Sequence, residues 1–87
     1  MTALRPAVTA DGQRRGDRVA AVVTTVNIAA GSMAEPWVKI NGGRAVKGDP
    51  IAVGSDGTFT WTATVGRQDQ VRVKFNVRGV KSEPINL

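Results

Sequence analysis

The 87-residue chain has no cysteine, no histidine and no tyrosine. Without cysteine no disulfide can supplement the core, so packing and backbone ladders must hold the fold. Without histidine or cysteine there is no Ser-His or Cys-His nucleophilic pair, and the usual soft metal ligands are missing. The apolar runs are short: none approaches the roughly 20 residues that a membrane-spanning helix needs. Met1 to Pro6 leads into polar residues rather than an apolar core, so the start does not read as a secretory signal. Taken as a true start, it implies synthesis in the cytoplasm without export by that route. One domain is expected at this length, burying only about 60–65% of the unfolded chain's surface.

What is present is β-branched alternation. Phe59, Trp61, Ala63 and Val65 alternate with Thr58, Thr60, Thr62 and Thr64. After a turn, Val71, Val73, Phe75 and Val77 alternate with Arg72, Lys74, Asn76 and Arg78. A period of two places each set on one face of a strand. Residues 18–28 form the longest apolar run. It is apolar on both parities, and its valines, threonines and isoleucine favour a central strand over a helix.

Turns punctuate the remainder. Asn41-Gly42-Gly43, Lys47-Gly48-Asp49-Pro50 and Ser55-Asp56-Gly57 separate short strands at 37–41, 44–47 and 51–53. Residues 29–36 read as a small-residue loop. Leu4, Pro6, Val8 and Ala10 suggest an edge strand or arm, and 11–17 a flexible basic loop carrying Arg14 and Arg15. A last edge strand follows Pro84, with Ile85 and Leu87 inward. The division is therefore an N-terminal arm or edge strand with its loop, 1–17, and a sandwich, 18–87. About seven short antiparallel strands with regularly spaced turns indicate an all-β fold, a β-sandwich, with a small barrel as the alternative.

Chemistry is sparse. The seven carboxylates, at Asp11, Asp17, Glu35, Asp49, Asp56, Asp69 and Glu83, sit mostly beside Gly or Pro, where aspartates cap turns. None has calcium-loop spacing, and the glycines form no phosphate loop or dinucleotide fingerprint. Neither catalysis nor a cofactor is expected. The net charge of +5 would draw the chain weakly toward nucleic acid, anionic cell-wall polymers or an acidic protein surface, and is too small and dispersed to select among them. Arg72, Lys74 and Arg78 share one strand parity, with Lys39 nearby if its strand is adjacent. They form either a contact surface for an anionic partner or, the favoured reading, a solvated face that discourages edge aggregation. Trp37 lies out of parity with Val38 and Ile40 and is the one aromatic expected outside the core. A lone aromatic is a poor stacking platform, so nucleic acid is the least favoured partner. The threonine row is an exposed strand face with cross-strand hydroxyl pairs or, as the less favoured reading, a face that docks on another protein.

The segments Val53-Gly54-Ser55-Asp56-Gly57-Thr58-Phe59-Thr60-Trp61, Val71-Arg72-Val73-Lys74-Phe75 and Gly79-Val80-Lys81-Ser82 carry a resemblance. Together they resemble immunoglobulin-like or fibronectin-III-like modules of actinobacterial secreted proteins and of phages infecting actinobacteria. Thr62-Ala63-Thr64 and Glu83 depart from that pattern, which often has a basic pair and an asparagine there. The resemblance implies a virion structural accessory. It would be a capsid decoration or tail-surface protein, assembled in the host cytoplasm and held to a phage coat or tail protein, the major capsid protein first. Weak adhesion to a bacterial surface polymer would be a further role. The alternative is a cell-wall or carbohydrate-binding module of a larger exported protein. Contacts are expected from Arg14, Arg15, Trp37, Lys39, Arg72, Lys74 and Arg78.

Overall fold

A computed structural model describes residues 5–87; Leu4 lies outside them. Nine short strands form two antiparallel sheets, and no helix occurs among the described residues. The first sheet has the order β1 (Ala7–Arg15), β2 (Arg18–Val26), β6 (Thr58–Thr64). The second is built on β3 (Met33–Ile40) and β7 (Val71–Val77), paired side by side. Two short strands, β4 (Val46–Lys47) and β5 (Ile51–Ala52), share the outer edge of β3. Another two, β8 (Val80–Lys81) and β9 (Ile85–Asn86), share that of β7. The nine strands thus fill seven positions. With β1, β2 and β6 facing β3, β7 and their edge pieces, this is the arrangement of an immunoglobulin-like sandwich, and two separate sheets rule out the closed barrel.

The alternating residues of the opposed strands make the core. Val19, Ala21, Val23, Phe59 and Trp61 come from one sheet, and Ala34, Val71, Val73, Phe75 and Val77 from the other. Phe75 joins them: its ring meets Phe59 edge-on at 5.7 Å and Trp61 at 5.9 Å. Edge-to-face pairs of this kind contribute about 0.5–1.5 kcal/mol each beyond the area they bury.

Three tight turns fix the registers. Arg15 and Arg18 flank Gly16, whose φ of 59° at the first central position makes a type II′ hairpin. Asn41 and Gly42 (φ 52° and 72°) close a type I′ turn, with Gly43 N–H donating to the Ile40 carbonyl at 2.9 Å. Arg78 and Gly79 (φ 51° and 83°) form another between Val77 and Val80.

Three sequence expectations are corrected. Residues 11–15 are not a flexible loop but the second half of β1, paired residue by residue with β2. Gly12 is small there because β9 and the chain end press on it; a Cβ would lie 2.3 Å from Leu87 Cδ2 and 2.9 Å from Ile85 Cδ1. Residues 33–36 are strand rather than loop. Pro36 is tolerated because its nitrogen lies in the gap between β4 and β5, while its carbonyl accepts from Gly48 N–H at 2.8 Å. Arg78 is a left-handed turn residue beyond β7, so it does not continue the Arg72–Lys74 strand face.

Candidate contact face

The outward side chains of the second sheet assemble the densest charge on the molecule. On β3 these are Met33, Glu35, Trp37 and Lys39; on β7, Arg72, Lys74 and Asn76. The register sets Trp37 between Lys47 of β4 and Lys74 of β7, Lys39 opposite Arg72, and Lys81 of β8 opposite Asn76. Directly opposed side chains lie about 5 Å apart at Cβ, so these residues form one surface. Five cations (Lys39, Lys47, Arg72, Lys74 and Lys81) surround a single carboxylate, Glu35. Glu35 is spent on Lys47 at 3.2 Å, the one ion pair among the described residues.

Trp37 is 37% exposed in the middle of this face. It borders a shallow open groove lined also by Lys39, Ala45, Lys74, Asn76 and Pro84. Asn76, half-buried between Glu35 of β3 and Lys81 of β8, forms part of the groove wall. The face therefore combines an amphipathic aromatic with uncompensated cations.

The expected contact residues separate into three groups. Trp37, Lys39, Arg72 and Lys74 converge on this face. Arg15 lies across the sandwich, on the outer face of the first sheet beside its hairpin. Arg78 sits at the turn after β7.

Arg14 does something else. Its guanidinium donates from Nε to the Gly16 carbonyl, from Nη1 to Asp69 and Leu87, and from Nη2 to Gly66 (2.8 Å) and Arg67 (2.9 Å). All five N–H donors of the side chain are used within the chain, so Arg14 clamps three segments together. Asn41 continues the network, donating to Asp69 Oδ1 at 3.0 Å and accepting from Gln70 N–H at 2.8 Å. The Asn41 amide first and the Gly66 N–H second hold the Asp69 carboxyl below its ordinary value, with the Arg14 charge adding to them. At the opposite end Asp56 caps its own turn, accepting from the Thr58 hydroxyl and N–H at 2.8 and 3.0 Å. The hydroxyl bond first and the N–H bond second lower its carboxyl likewise. Ser82, buried between β8 and β9, accepts from Phe75 N–H at 2.9 Å through its hydroxyl. The serine of the Gly79–Ser82 motif thus patches the ladder where the edge strand breaks.

Sequence reading had not placed Lys47, Lys81 and Asn76 on the contact face. The Arg78-Gly79 pair was the available signal for Lys81, since a two-residue I′ turn fixes Asn76 opposite it. Comparison with known proteins finds no matching family model, no matching curated protein and no matching solved structure.

Proposed function

We propose that this chain is a non-enzymatic contact module that docks through the outer face of its second sheet onto an acidic protein surface. In the setting implied by its resemblance to actinobacterial phage modules, that surface belongs to a coat or tail protein, with the major capsid protein first. The chain is then a virion accessory. The observation that supports this most is the exposed Trp37 set between lysines, with one carboxylate against five cations around it. Aromatic and arginine anchors at the centre of a patch carry most of the energy of protein interfaces, and surrounding charges speed encounter.

The test is co-sedimentation of the purified chain with assembled particles of the phage that carries its gene, at about 0.15 M salt. Replacing Arg72 and Lys74 with glutamate is expected to reduce bound chain at least tenfold while circular dichroism stays unchanged. Undiminished binding would remove this face from the reading. A second reading, attachment to an anionic cell-wall polymer, is favoured by the same tryptophan among cations. Sedimentation with isolated cell walls but not with particles would select it.

A further inference from the structure

The sandwich leaves four strand edges, and three of them are blunted in the ways natural proteins use against edge-to-edge pairing. The β1 edge is blunted by charge: Asp11, Arg14 and Arg15 lie along that strand. The edge beyond β3 is broken into two-residue pieces flanked by Lys47 and Pro50, and the edge beyond β7 into pieces flanked by Lys81 and Pro84. The free edge of β6 has no such device. Its seven residues, Thr-Phe-Thr-Trp-Thr-Ala-Thr, contain no charge and no proline.

Its unused hydrogen-bonding groups follow from the ladder. Thr25 N–H donates to the Gly57 carbonyl and Val65 N–H to the Asp17 carbonyl, both at 2.7 Å. With the antiparallel register, these place the odd residues of β6 toward β2 and the even ones outward. Thr58 is satisfied locally, its N–H by Asp56 and its carbonyl by Gly54. Thr60, Thr62 and Thr64 are left with outward N–H and C=O groups that have no backbone partner among the described residues.

We propose that this edge pairs with the same edge of a second copy, antiparallel about a two-fold axis through Thr62. A second copy fits because the strand is its own complement. Thr62 faces Thr62, and Thr60 faces Thr64 on both sides of the axis. Three pairs exchanging two hydrogen bonds each use every outward group, six bonds in all. Only threonines meet on the solvent face, a favourable cross-strand pairing with no like charges opposed. The two three-stranded sheets become one six-stranded sheet, and the cationic faces of both copies remain free.

An edge contact of this size is below the standard interface area, so a dissociation constant of about 0.1–1 mM is expected. Sedimentation equilibrium between about 10 µM and 1 mM tests it. The wild-type chain is expected to dimerise reversibly over that range. Thr62→Lys and Thr62→Glu should each weaken self-association at least tenfold, and an equimolar mixture of the two should restore it. In amide exchange, Thr60, Thr62 and Thr64 should become protected with rising concentration. Phe59, Trp61 and Ala63, whose amides face β2, should stay protected throughout and report that the variants remain folded. A wild-type chain that stays monomeric, or single variants that dimerise as well as wild type, would overturn the proposal. So would a mixture that stays monomeric.

Discussion

Along β2 and β6 the outer face of the three-stranded sheet is a row of threonines and valines, with charge only at Asp11, Arg15 and Arg18 toward the first hairpin, whereas the opposing sheet presents five cations around a tryptophan. Val22 and Val26 stand 53% and 44% exposed on the first face, beside Thr60, Thr62 and Thr64. The second carries Lys39, Lys47, Arg72, Lys74 and Lys81. Both faces rest on one core, and the inward residues of the two sheets are alike: valines, an alanine or two, and an aromatic. The difference is therefore not one that the core requires. In the proposed reading the uncharged β6 edge suits another neutral strand, and the cationic face with its aromatic centre suits an acidic surface.

The comparison can be broken most severely from beneath. Phe75 is fully buried and touches both aromatics of the facing sheet, so Phe75→Ala is expected to cost about 3–5 kcal/mol in denaturant unfolding. Trp37→Ala, the same kind of truncation on the outer face, should cost less, about 1–2 kcal/mol, because the indole is only partly covered. Equal losses would mean that Trp37 is a core residue and that the outer face has been misassigned. Arg14→Ala comes next. Opening a five-bond clamp across three segments should cost about 2–3 kcal/mol, whereas Arg15→Ala one residue away should be nearly neutral.

A smaller effect concerns pH. The carboxyls of Asp69 and Asp56 are both lowered in the folded chain. As pH falls below about 4 the unfolded chain takes up these protons first, so stability present above that pH is lost on acidification. Urea midpoints measured between pH 6 and pH 2.5 should fall, and Asp69→Asn should flatten part of that decline. A midpoint independent of pH would contradict the assigned bonds. The smallest expected effect is on the threonine face, where Thr60→Val should change stability by no more than about 0.5 kcal/mol.

Much of the sandwich was legible because its two longest inner strands alternate strictly. Residues 58–64 and 71–77 sort inward and outward by parity alone, and Asn41-Gly42 marks its turn. What escaped was contextual. Gly12, Asp11 and Arg14 have the composition of a loop, yet they form strand because β2 pairs with them residue by residue, and Gly12 leaves room for Leu87 and Ile85. Pro36 reads as a strand breaker until the gap between β4 and β5 supplies its place. Arg14 and Arg15 look equivalent in sequence; only the approach of Gly66, Arg67, Asp69 and Leu87 separates a clamp from a surface cation. Of the contact face, Trp37, Lys39, Arg72 and Lys74 were visible, and Lys47, Lys81 and Asn76 required strand pairing.

The central claim is that location rather than net charge determines binding, and matched charge changes on the two faces test it. Lys39→Gln with Lys74→Gln lowers the net charge from +5 to +3, and so does Thr9→Glu with Gln13→Glu on the opposite sheet. Measured by co-sedimentation with the phage particles, the first pair is expected to reduce binding at least tenfold and the second by less than twofold. Equal losses from the two pairs would show that the +5 charge acts without a defined face and would contradict the account.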